Sequence, residues 1–169
     1  MNARSQTRPL RRFVAAAALL AFSITAAPAA PIKIEAVVAP RADARLDFAD
    51  GSKRYLLAAQ REGKVVGSGP LAGTTMLEWG MHDVNPATGA HVNGYLVFTA
   101  SEGDIAYLKY EFRAAVVPGA DGKARFVANG IWETAGGTGR FKGLRGAGIL
   151  QFEPRERRFT LQGELVSAE

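Results

Sequence analysis

Alternation between apolar and polar residues is the strongest signal in the chain. In "DIAYLKYEFRAAV", Ala106, Leu108, Tyr110, Phe112 and Ala114 share one face, while Tyr107, Lys109, Glu111 and Arg113 share the other. "RRFTLQGELV" repeats the pattern, with Phe159, Leu161, Gly163 and Leu165 opposite Arg158, Thr160, Gln162 and Glu164. A period of two is that of a half-buried strand, and a helix would scatter both sets. Between residues 74 and 83 the apolar set is Leu77, Trp79 and Met81, which predicts these three inward and Glu78 and His82 outward. Strands are predicted at 46–49, 54–60, 65–71, 74–83, 94–100, 105–117, 125–134, 145–153 and 158–166. Asp50-Gly51 and "SEGD" (Ser101 to Asp104) supply hairpin turns. No helical run is long enough for a parallel crossover, so the fold class is all-β, an antiparallel barrel or sandwich. Residues 30–45 are rich in alanine and proline and read as a flexible arm, leaving 46–169 as the barrel domain.

The first residues belong to a different class. "MNARSQTRPLRR" carries four arginines and no acid, "FVAAAALLAFSIT" is a short apolar run, and "AAPAAP" offers small residues. This is the three-part pattern of a secretory signal peptide, spanning 1–29 with cleavage after Ala29. The apolar run is shorter than the roughly 20 residues of a membrane-spanning helix, so no permanent anchor is expected. Export places the protein in the periplasm or outside the cell. The whole chain has 21 basic and 16 acidic residues, but the four arginines of the signal leave with it, so the remainder is close to neutral. That balance gives no footprint for nucleic acid. There is no cysteine, so neither disulfides nor thiolate metal ligands contribute.

"TAGGTGRFKGLRGAG" (Thr134 to Gly148) is the stretch richest in glycine. It lacks the lysine-serine or lysine-threonine pair of a Walker loop. Gly137, Gly139 and Gly143 also have the wrong spacing for a dinucleotide loop, and a strand rather than a helix follows. The structural reading assigns Gly136, Gly137, Gly139 and Gly143 to an irregular connection. Gly146 and Gly148 share one face of the next strand, where missing side chains let a sheet curl. Phe141, alone among polar and glycine neighbours, is expected to plug one end of a closed barrel.

"GIWETAGGTGRFKGLRGAGILQFE", preceded by "GYLVFTASEGDIAYLKYEF", resembles the allene oxide cyclase-type barrel superfamily, which includes the dirigent proteins and bacterial secreted proteins. The likeness spans Gly63 to Val166. It implies an eight-stranded antiparallel up-and-down barrel of calycin-like form, with a central cavity and often a trimeric assembly. Plant cyclases of that superfamily place a glutamate, a proline and an asparagine-held water in the cavity. None of these maps onto a numbered residue of this chain.

Candidate chemistry is sparse. Glu78, His82, Asp83 and His91 lie close in sequence and are residue types that bind zinc or exchange protons, but a solvated polar face explains them more simply. No metal and no cofactor are therefore expected, and no nucleophile motif is present. Trp79, Tyr110 and Trp132 fall on the apolar parity of their strands and carry polar tips, which makes them candidates to line a pocket for a small apolar ligand. The sequence supports an exported barrel that binds such a ligand or serves as an assembly module. The alternative is a cofactor-free cyclase or isomerase, which a buried carboxylate or histidine would favour.

Overall fold

The computed structural model describes residues 29–166 apart from 120 and 122. The signal-peptide segment therefore lies outside the described residues. Nine strands follow in order: β1 (Ala30–Val37), β2 (Ala39–Asp47), β3 (Tyr55–Ser68), β4 (Thr75–Asn85), β5 (Gly89–Thr99), β6 (Ile105–Pro118), β7 (Ala124–Gly137), β8 (Arg145–Glu153) and β9 (Arg158–Val166). All pairings are antiparallel. They run β1-β9-β8-β7-β6-β5-β4-β3-β2, and a further β1–β3 pairing closes eight strands into a barrel with β2 as an extra strand. Stepping between register partners around the barrel from Leu57 returns to β3 at Gly67, a stagger of ten residues. Such a stagger tilts the strands and widens the interior.

Residues 30–45 are strand, which corrects their reading as a flexible arm. Ile32, Ile34, Ala36 and Val38 all point into the core, a period of two that the alanine and proline content of the segment masks. β1 sits between β9 and β3, whereas β2 continues past the end of β9 and pairs with β3 alone. The predicted strands 54–60 and 65–71 are likewise one strand, β3. The break expected at Glu62-Gly63-Lys64 is the place where β3 changes partner from β2 to β1. A side chain on Gly63 would put Cβ 2.2 Å from the Val37 carbonyl oxygen, so the glycine permits a close approach rather than a turn.

Gly139–Phe141 form a short 3-10 turn, and Phe141 is buried together with Leu71 and Leu144 from the loops of that end. Gly139 has φ +50°, and Asp104 accepts the Arg140 backbone N–H at 3.0 Å across the neighbouring loop. Gly136 and Gly137, expected in the connection, are instead the last residues of β7, just past a bulge opposite Tyr107 and Leu108, and Thr138 to Leu144 make the link to β8.

At the waist, one register row reads Ala59, Gly80, Gly94, Tyr110, Trp132, Gly148, Gly163 and Ile32. Two large rings are balanced by five residues with a methyl group or nothing, so the rings lie over their neighbours' backbones. A Cβ on Gly148 or Gly163 would meet the Trp132 indole at 2.8 and 2.7 Å. Such alternation of large and small residues is how a narrow barrel fills its interior.

Candidate functional site

The inward face of β4 is Met76, Glu78, Gly80 and His82. This reverses the expectation that Leu77, Trp79 and Met81 face inward. Trp79 lies on the outer surface at 53% exposure, apart from Tyr110 and Trp132, which are buried. Residue 80 gives the physical reason. A Cβ there would lie 2.5 Å from the Tyr110 hydroxyl, 2.7 Å from His82 Nε2 and 2.8 Å from Glu78 Oε1. Glycine at this position makes room for a polar cluster that the other face of the strand could not form.

Glu78 is the centre of that cluster and has no exposed surface. The Tyr110 hydroxyl donates to its Oε1 at 2.6 Å, and His82 Nε2 approaches the same oxygen at 3.0 Å. Its Oε2 has no hydrogen-bond partner, and the Arg61 guanidinium stands 3.6 Å away. Burial first, then the Glu78 charge and hydrogen bond, push the Tyr110 phenol far above its ordinary range and keep it protonated, against a smaller pull from Arg61. A carboxylate without solvent needs such partners, because an unpaired buried charge is very costly.

Arg61 comes from the inward parity of β3, directly opposite Glu78 on β4. Its guanidinium also lies 5.6 Å from the centroid of Phe152. Phe152 belongs to an aromatic layer in which Tyr110, Phe112 and Phe159 have centroids 4.7–6.4 Å from their neighbours. Beyond this layer, toward the end where β2 projects, the inward positions of β5, β6 and β7 are Ala90, Ala114 and Ala128 in one register row. Three alanines contribute little bulk there. Phe152 is only partly buried and the Arg61 side chain keeps 19% exposure, so this end meets solvent at an arginine and a ring.

The remaining candidates separate. Trp132 donates its Nε1–H to the carbonyls of Ile149 at 3.1 Å and Gln162 at 3.2 Å, which satisfies the indole within the wall. Asp83 and His91 lie on the outer face, where Asp83 pairs with Arg54 through two hydrogen bonds that hold its carboxyl below the usual range. The zinc-type set is thus divided between the two sides of the sheet, and no group of three metal-binding side chains occurs among the described residues. Glu111 and Glu133 point outward, as the alternation of β6 and β7 predicts. Sequence reasoning missed Arg61, whose place in the series Leu57, Ala59, Arg61, Gly63, Val65 was the available signal.

Outside the wall, one open groove of about 500 Å³ is bordered by Tyr95, Lys109, Glu111 and Ile131, and another of about 430 Å³ by Ala42, Ala44, Trp79 and Met81. Among the described residues no helix is long and apolar enough to cross a membrane. No protein-family model, curated protein or solved structure matches the chain.

Proposed function

We propose that this chain is an exported barrel protein that binds a small molecule at the end where β2 projects. The ligand has an apolar body and an acceptor oxygen, either carbonyl or carboxylate. One observation carries the reading. Among the described residues of the eight strands that close the barrel, Arg61 is the one inward-facing charged side chain that keeps appreciable exposure, and its guanidinium has only Glu78, at 3.6 Å, as an ionic partner. Its N–H groups can bind an oxygen brought in from solvent, while Phe112, Phe152 and Phe159 form an apolar floor. The ligand's polar end is thus read by a donor, a refinement of the purely apolar pocket suggested by the sequence. Burying 200–300 Å² of apolar surface yields roughly 5–8 kcal/mol before entropic costs, which points to micromolar or weaker affinity. Export rests on the basic head and apolar run of the first 29 residues.

A second reading, a cofactor-free isomerase of the allene oxide cyclase type, is favoured by Glu78. Its unpartnered Oε2 could accept a proton from a substrate whose carbonyl Arg61 polarises, with Tyr110 and His82 steadying the other oxygen. Calorimetry with octanoate, octanol and octylamine tests the binding reading. Octanoate should bind and octylamine should not; equal binding of both would refute it. Turnover of a reactive epoxide that Glu78→Gln abolishes would establish the second reading.

A further inference from the structure

β2 is an edge strand of an unusual kind. Its residues are all exposed, and Leu46 is 61% exposed. One edge pairs with β3, and among the described residues no strand pairs with the other. Barrel closure gives β1 and β3 to β9 a neighbour on each side, although Ala124–Ala128 of β7 overrun β8; β2 runs on along its whole length past the Arg158 end of β9, opposite Val37. An exposed edge is a template for another strand, so its side chains determine which strand fits.

Those side chains follow a pattern. Asp43, Arg45 and Asp47 lie beside Ala59, Leu57 and Tyr55 on the face continuous with the barrel interior. Ala42, Ala44 and Leu46 lie beside Gln60, Ala58 and Leu56 on the outer face. Charge therefore alternates in sign along one face, with small or apolar residues along the other.

We propose that β2 pairs antiparallel with β2 of a second copy, about a two-fold axis through Ala44. Directly opposed residues of an antiparallel pair share a face, so a two-fold sheet must pair residues of like parity. With Ala44 opposite Ala44 of the second copy, Asp43 faces the second copy's Arg45 and Arg45 faces its Asp43. Ala42 then faces Leu46 on the outer side. Shifting the axis by one residue toward either end creates like-charge pairs. Centred on Asp43, the two Asp43 side chains meet; centred on Arg45, the two arginines meet. The charges thus select the register that pairs residues 42–46 in full. Pro40 and the bulge between Pro40 and Ala42 bound this segment at one end, where a missing N–H would end the ladder. Within it every residue has its N–H. Arg45 already contacts Asp47 at 2.6 Å and stacks 3.7 Å over Tyr55, which holds the guanidinium on the face where the second copy's Asp43 arrives.

Charge exchange tests this in the full chain after export. Sedimentation equilibrium of the wild type should give a reversible monomer–dimer equilibrium. Asp43→Arg and Arg45→Asp should each raise the dimer dissociation constant by about tenfold or more, since each sets two like-charge pairs face to face. The double variant Asp43→Arg/Arg45→Asp should recover the wild-type constant, and an equimolar mixture of the two single variants should form a heterodimer. Circular dichroism confirms folding of these surface variants. A wild type that stays monomeric at millimolar concentration would overturn the proposal. So would a trimer, or single variants that dimerise as the wild type does.

Discussion

The Tyr110 hydroxyl donates to Glu78 Oε1 at 2.6 Å across the intervening strand β5, where Gly94 stands opposite both Tyr110 and Gly80. A Cβ at residue 94 would lie 2.0 Å from the Trp79 carbonyl oxygen and 2.9 Å from Gly80 Cα, so Gly94 lets β5 pass close to β4 beside the cluster. The polar cluster therefore depends on glycines as much as on the groups that titrate.

Gly80→Ala should break this cluster, since its Cβ would meet the Tyr110 hydroxyl, His82 Nε2 and Glu78 Oε1 together. Overpacking combined with a lost buried hydrogen bond gives a destabilisation of about 2–4 kcal/mol by chemical denaturation. Gly51→Ala, in a turn with φ +80° and open space around it, should cost only about 1–2 kcal/mol.

The raised pKa of Tyr110 has a visible consequence at high pH. A tyrosine in the unfolded chain ionises near pH 10, so above that pH the unfolded state releases a proton that the folded state retains. Stability contributed by the neutral phenol is complete below pH 10 and is lost as pH rises further. Of the four tyrosines, one should fail to titrate by ultraviolet absorbance until the protein unfolds. Tyr110→Phe should remove that delayed step.

Acid should act elsewhere. The Arg54 guanidinium depresses the Asp83 pKa, so this pair contributes above the unfolded carboxyl value near pH 4 and fades as pH falls through the lower folded value. Asp83→Asn should flatten that limb of a melting-temperature profile against pH while leaving the alkaline limb unchanged.

Phe141→Ala should cost about 3–5 kcal/mol, because the ring is buried at the plugged end. Arg140→Ala, next to it, loses an exposed pair with Glu102 and the guanidinium 4.8 Å from the Phe141 ring centroid, which together should cost no more than about 1–2 kcal/mol. An unchanged melting curve for Phe141→Ala would remove the ring from its structural role.

Much of the barrel was legible in the sequence. β6 and β9 alternate without interruption, and Phe141 stood out among glycine and polar neighbours. The errors have physical causes. On β4 both faces carry apolar residues, and choosing the richer face placed Trp79 inside and Glu78 outside. The true orientation depends on Tyr110, two strands away, which local hydropathy does not register. In β3, Gly63 looked like a break although it marks a close passage of the Val37 carbonyl. In β1, proline and alanine content hid Ile32, Ile34, Ala36 and Val38. The misses on β4 and β3 came from contacts distant in sequence, and the miss on β1 came from local composition.

The central claim is that Arg61 and Glu78 face each other inside the barrel and that Arg61 reads an acceptor oxygen there. Calorimetric titration of octanoate into the wild type, Arg61→Gln and Glu78→Gln tests it most directly. Arg61→Gln should abolish binding. Glu78→Gln should tighten it several-fold, because the carboxylate that competes for the guanidinium is gone. Equal affinity in all three proteins would place the ligand elsewhere and contradict the account.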